Sequence, residues 1–216
     1  MITLDNGLKK PEATDAFDST NFLGAMNGNT EILDGHLNKT IGGMNLIRNA
    51  DFSQGLNNWE QVGSNWLYKS DTHFRQNIVA ISTTTNDFVA VYQNITPLNI
   101  YNKYYTTSFF AYNSLDVEKN IVALEIRDSG NTKEAAIVFN VSKVGWNFYN
   151  FVFDLSDYNL ANKTLRIVFG VKEICTFGIA QPQLQDGEIA TSFNICPYDY
   201  QDQITSLETR LTALGG

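Results

Sequence analysis

The chain has 216 residues, 43% of them hydrophobic, with 14 Phe, 10 Tyr and 3 Trp, enough for one domain with a sizeable core plus appendages. A net charge of −8 with no basic run excludes a nucleic-acid binder, because phosphate contacts need clustered Lys and Arg. No run approaches the ~18 apolar residues of a membrane span, and the first ten residues lack the apolar stretch of a secretory signal. The expectation is therefore assembly in the cytoplasm, with Cys175 and Cys196 as reduced thiols.

Residues 1–17 are polar and interrupted by Gly7 and Pro11, which predicts an extended lead-in. A short helix follows, capped by Asp18 or Ser19. Phe22, Met26, Leu33 and Leu37 recur on it at spacings that sum to helical turns. Gly24, Gly28 and Gly35 each weaken such a helix by ~1 kcal/mol relative to Ala, so the stripe needs a partner to bury against. Gly42 and Gly43 end the segment, and residues 1–43 form the first predicted region.

From Met44 to Cys196 the pattern changes to short runs rich in Val, Ile, Thr, Tyr and Phe, separated by Gly, Asn, Asp and Ser. Strands are predicted at 44–52, 59–69, 74–82, 87–96, 103–113, 120–128, 134–142, 145–155, 163–172 and 174–184. Val122, Leu124 and Ile126 share one face of their strand, while Ala123, Glu125 and Arg127 share the other. Residues 145–153 are apolar on both faces, which predicts a central strand covered on both sides. Ten strands without an intervening helical pattern predict an all-β sandwich over residues 44–196.

From Tyr200 the period changes again. Ile204, Leu207, Leu211 and Leu214 are spaced by three, four and three, the a/d seam of a coiled coil, so residues 197–216 are predicted as an oligomerisation helix. Two heptads are too short to stand alone. The alternative is an amphipathic tail packed on its own sandwich. Ile at a with Leu at d favours two strands.

The opening Asn45-Leu-Ile-Arg-Asn-Ala-Asp-Phe-Ser-Gln-Gly-Leu-Asn-Asn-Trp59 and the ending Gln183-Leu-Gln-Asp-Gly-Glu-Ile-Ala-Thr-Ser-Phe193 resemble the carbohydrate-binding-module-type jelly rolls of phage tail and baseplate proteins. The stretch Asn6-Gly-Leu-Lys-Lys-Pro-Glu-Ala-Thr-Asp15, followed by the short helix, resembles the N-terminal segment of tail-fibre and baseplate-associated proteins in phages and phage-like particles of Gram-positive bacteria. The resemblance covers about 150 residues and implies a jelly-roll fold, a virion location in the tail or baseplate, other tail proteins as partners, and attachment through Phe22, Met26, Leu33 and Leu37. It also implies a homotrimer, against the dimer that the seam alone favours. Carbohydrate-binding jelly rolls often hold a structural Ca²⁺ where their first and last strands meet. Asp51 and Asp186 stand in the two bracketing motifs, with oxygens suited to a hard cation; no other metal or cofactor is expected.

Catalytic chemistry finds little support. The two histidines, His36 and His73, are far in sequence from either Cys, and no Gly-x-Ser-x-Gly elbow occurs. Glycoside cleavage needs two carboxyls across a cleft, and Glu125 is better placed to pair with Arg127 on its own strand. Sugar binding remains, by stacking of aromatic rings on pyranose faces. Trp66 and Tyr68 alternate on one predicted strand, and Tyr104 and Tyr112 share a face of another; Trp59 and Trp146 are predicted as core. Exposed aromatics suit a subunit interface equally well. The sequence therefore predicts a non-enzymatic structural component of a phage tail or baseplate, anchored by residues 1–43. Its alternative is a receptor-binding module for cell-surface carbohydrate.

Overall fold

The computed structural model describes residues 2–3, 9–10, 43–63, 66–71, 76–95, 103–117 and 119–213. The predicted anchoring stripe of Phe22, Met26, Leu33 and Leu37 with its helix, and also His36, His73 and Leu214, lie outside the described residues. The chain divides into two compact units, Met1–Thr40 and Ile41–Gly216. In the first, strands β1 (Ile2–Thr3) and β2 (Lys9–Lys10) pair antiparallel, with Ile2 opposite Lys10.

The second unit holds ten further strands: β3 (Glu60–Val62), β4 (Leu67–Asp71), β5 (Gln76–Ser82), β6 (Val89–Ile95), β7 (Tyr104–Asn113), β8 (Ile121–Arg127), β9 (Lys133–Asn140), β10 (Gly145–Asp154), β11 (Thr164–Val171) and β12 (Thr176–Asp186). They form two five-stranded antiparallel sheets. The first is ordered β10-β7-β12-β5-β4 and the second β3-β6-β11-β8-β9, so the chain crosses repeatedly from one to the other. The all-β sandwich expected from the spacing is what forms.

Alternation fixes which side chains meet between the sheets. Tyr105, Phe109 and Ala111 point inward from β7, and Leu165, Ile167, Phe169 and Val171 from β11; all are buried. Phe109 and Phe169 meet edge to face at 5.0 Å, joining the two layers, and Tyr149 stacks on Phe109 at 5.6 Å. Trp59 is core as expected, tilted between Phe52 and Phe169.

Three expectations need correction. The stretch 44–52 is not a strand: its residues run as turns, because Asn side chains take over the backbone's hydrogen bonding. Asn49, at φ +48°, donates to the Gly55 and Asn57 carbonyls (2.9 Å each) and accepts from the Gln54 amide at 3.1 Å. The stretch 59–69 is split at Gly63, whose φ of +80° lets the chain turn and whose missing Cβ leaves room for Val89. Residues 145–154, apolar on both faces, are not central: β10 is an edge strand, and its outer face leaves Phe148 58% exposed.

The two bracketing motifs form a clasp. Asn45 accepts from the Ile47 and Leu184 amides and donates to the carbonyls of Pro182 and Asn194. Gln183 accepts from the Asn194 amide, and Gln185 donates to Thr191 Oγ1 and to the Gly43 carbonyl. The amide-rich residues of the signature thus satisfy buried backbone where the chain enters and leaves the sandwich.

Helix α1 (Pro197–Ala213) opens with Pro, whose missing N–H is not needed at a helix start. Its first turn is pinned to the sandwich: the buried Asp199 carboxylate accepts the Asn49 amide at 2.7 Å and lies 3.6 Å from Arg48 Nε. From 204 to 213 every residue is exposed, with Ile204, Leu207 and Leu211 among them and Leu207 at 60%. A tail packed along its own body is therefore not what forms over these residues; the apolar stripe faces solvent.

Candidate functional site

The outer face of the first sheet carries a cluster of aromatic residues, of which Phe148 is 58% exposed. Cross-strand register places Trp146, Tyr112, Gly178, Ala80 and Leu67 in one row over all five strands. Phe148, Phe110 and Ala180 begin the next row. Trp146 and Tyr112 meet at 5.5 Å with planes tilted by 53°, and Phe148 and Phe110 at 5.2 Å with 57°. An ideal Cβ at Gly178 would stand 3.5 Å from Cη2 of Trp146, so the indole reaches past Tyr112 to lie over β12.

The rows have relief. Aromatic rings rise from β10 and β7 and Leu67 and Lys69 rise exposed from β4; between them Gly178 and Ala80 keep the first row low, while in the second row Ala180 and Ile78 are buried. This is a shallow trough bounded on one side by four rings. One end has hydroxyls: Ser82 Oγ and Thr176 Oγ1 are hydrogen-bonded at 2.9 Å, and Ser114 Oγ accepts the Thr176 amide at 2.9 Å. The other end is closed by the clasp, under which Thr106 donates to the Gly187 carbonyl at 2.6 Å and Gln183 and Gln185 are buried. Lys69 is the single charge in the two rows among the described residues.

Such a surface can stack flat apolar faces and offer hydroxyls to a polar edge, with little attraction for strongly charged ligands. It has no nucleophile held against a base.

The second sheet's outer face is polar instead. Arg166 lies over the Tyr92 ring, 4.0 Å from its centroid, and donates to Asn94 Oδ1 and Asn131 Oδ1. Tyr92 donates to Glu60 at 2.9 Å; burial, and then Glu60, push its hydroxyl above the usual range, the wrong direction for a base. Glu125 pairs with Arg127, as the sequence suggested, and lies 3.9 Å from Lys133. These groups satisfy one another, and the network reads as a brace across β6, β11 and β8.

The structure separates the residues proposed from sequence. Trp66 is 4% exposed, edge-on to Phe177 at 6.2 Å in the core, so it cannot form a platform with Tyr68. Tyr68 is exposed but lies on the inner-facing register of edge strand β4, against Gly55. Tyr104 and Tyr112 share the outer face of β7 as expected, yet stand eight residues, about 27 Å, apart, with buried Thr106 and Ser108 between them. Only Tyr112 belongs to the trough. Trp146, expected in the core, is half-buried on the outer face beside it.

Asp51 accepts its own Ser53 amide at 3.1 Å, and Asp186 lies against Gly43. Neither belongs to a group of three or more His, Cys, Asp or Glu side chains that could hold a metal ion among the described residues. Cys175 and Cys196 are both buried free thiols, with pKa values raised chiefly by burial. No described helix is long and apolar enough to cross a membrane.

No protein-family model and no curated protein sequence matches the chain. Solved structures do. The chain is similar to the enzymatically active domain of tailspike protein 4 from bacteriophage CBA120, at TM-score 0.51 and 17% identity, over 65% of this chain and 21% of that one. It thus spans about a fifth of the tailspike chain, and the likeness is one of fold. It is also similar to the CBM22-1 xylan-binding domain of Xyn10C from Paenibacillus barcinonensis, at TM-score 0.49 and 11% identity, over 70% and 99% of the two chains. A family 11 carbohydrate-binding module from Clostridium thermocellum, in complex with a mixed-linked tetrasaccharide, gives 0.47 and 13% over 70% and 99%.

Proposed function

We propose that the chain is a non-catalytic carbohydrate-recognition module. Its binding surface is the trough on the first sheet, walled by Trp146, Tyr112, Phe148 and Phe110 and floored by Gly178 and Ala80. The observation that carries this reading is the row running from Trp146 across Tyr112 to Gly178 and Ala80, large rings beside a floor with almost no side chain. Rings of this kind stack on pyranose faces, and the Ser82, Thr176 and Ser114 hydroxyls flank the stack. Lys69 is the single charge there among the described residues, so ring stacking more than ion pairing would set the affinity. The likeness to carbohydrate-binding jelly rolls agrees with this reading. Glycan-array binding by the full chain, compared with Trp146→Ala, tests it: signals lost in the variant support the trough, and signals that survive place the ligand elsewhere.

The second element of the proposal is where the module works. A particle tail or baseplate is the setting suggested by the resemblance of residues 6–15 and of the bracketing motifs. The exposed stripe of Ile204, Leu207 and Leu211, on a helix pinned at Asp199, is what a self-associating component would show. Leu214 would extend it. In this setting residues 1–43 attach the protein to other tail proteins through Phe22, Met26, Leu33 and Leu37. Deleting residues 1–43 should abolish incorporation into particles while leaving the melt of the sandwich unchanged; a much lower melting temperature would make the segment part of the domain instead.

A further inference from the structure

Among the described residues, the four edges of the two five-stranded sheets are not treated alike. An unpaired edge displays a row of N–H and C=O groups that will recruit any available strand, and proteins protect such edges with shortness, charge, proline or bulges. β3 has only three residues. β4 carries Lys69 and Asp71. β9 begins with Lys133 and Glu134, and its pairing with β8 is bulged at Ile126/Arg127. β10 has none of these devices. Its ten residues run Gly-Trp-Asn-Phe-Tyr-Asn-Phe-Val-Phe-Asp, without proline and without charge before Asp154, and its pairing with β7 is unbroken over all ten. Among the described residues no strand pairs with its other edge.

We propose that β10 is a pairing edge for β10 of a second copy of this chain, joining two first sheets into one ten-stranded sheet about a twofold axis. Three observations select a second copy. The strand is uncharged over nine residues in a chain of net charge −8, so two copies meet there without opposing like charges. The strand is also compatible with itself: with Tyr149 opposite its counterpart, Trp146 faces Val152 and Phe148 faces Asn150, and every outer side chain meets an outer one. Lastly, the helix stripe on the same unit is a separate device for bringing copies together. Such pairing extends the apolar outer strip of Trp146, Phe148 and Val152 across the axis. It also places the two Gly178 floors five strand spacings apart across the sheet and, because Trp146 faces Val152, six residues apart along it, about 31 Å in all on one surface, a span that a single glycan chain can bridge.

The test uses the full chain with Leu207→Glu and Leu211→Glu, which silence the helix stripe and leave β10 intact. Sedimentation should show a reversible dimer, and amide exchange should show the outward amides of β10 slowing as concentration rises. Adding Asn150→Lys puts a charge in the seam and should weaken dimerisation by about tenfold or more without moving the melt of the monomer. A chain that stays monomeric at high micromolar concentration overturns the proposal. So does association indifferent to Asn150→Lys, and so does a monomer whose β10 amides are already protected, since a segment of the same chain would then cover the edge.

Discussion

At the scale of single residues, Gly178 separates the trough from general packing. It has an ordinary backbone conformation, and a Cβ there would meet Trp146, Ala80 and Tyr112 only at 3.5–3.7 Å. Gly178→Ala should therefore leave the melt nearly unchanged yet lift the floor and weaken sugar binding, read by calorimetric titration. Asp199 is a different kind of residue. Burial raises its carboxyl above the ordinary 3.8, with Asp51 adding to the rise, while the Asn49 amide and Arg48 oppose it. Asp199→Ala would strand the Asn49 N–H without its acceptor and should cost about 1–3 kcal/mol; Asp199→Asn keeps an acceptor and should cost less. Because the folded pKa lies above the unfolded one, the contribution from protonation is fully present below pH 3.8 and is lost as pH rises through the folded value. Stability relative to Asp199→Asn should therefore fall as pH rises from that acid limit, measured by urea titration; a rising difference would mean that Arg48 dominates. Little of the site was legible residue by residue. Trp66 and Tyr68 looked like a pair only on the assumption that 59–69 is one strand, and Gly63 breaks it. Trp146 looked like core because it sits in an apolar run, and a sequence does not say which face of a run points between the sheets.

At the scale of elements, the strands were far more legible than their neighbours. Eight of the ten predicted strands form within a few residues of their predicted limits, because alternation and turn residues are local signals. The misreadings come from non-local facts. Residues 44–52 have strand-like composition, but Asn45 and Asn49 find partners at Pro182, Leu184, Asn194 and Asp199, and those partners turn the segment into a clasp. The doubly apolar β10 was expected at the centre of a sheet; it lies at an edge, and its second face became the wall of the trough. The helix period was read correctly over Ile204, Leu207 and Leu211, and the structure leaves that stripe uncovered. Leu207→Glu with Leu211→Glu should lower the molar mass of the full chain measured by light scattering, while the far-ultraviolet signature of the sandwich persists. Unchanged mass would remove the helix from the assembly.

At the scale of the whole molecule, the parts divide the labour. The clasp closes the sandwich and lies over the buried Thr106, Gln183 and Gln185 on the first sheet's outer face, with the aromatic rows beyond it. Asp199 fixes the start of a helix whose stripe is exposed, and if that stripe gathers copies as proposed, each would bring another trough. A module with shallow, weakly charged subsites gains most from such multiplication, since linked sites raise avidity without new contacts. A twofold β10 seam agrees with the two-stranded preference of Ile at a and Leu at d; around a trimeric helix it would instead link one trimer to another. The central claim is that the Trp146–Gly178 trough binds carbohydrate, and calorimetric titration of the full chain with a neutral oligosaccharide chosen from a glycan array addresses it most directly. The account predicts measurable binding that falls about thirtyfold or more in Trp146→Ala, the ~2 kcal/mol or more that a central aromatic contributes, and that also weakens in Gly178→Ala with the fold intact. Binding of equal strength in both variants would contradict it.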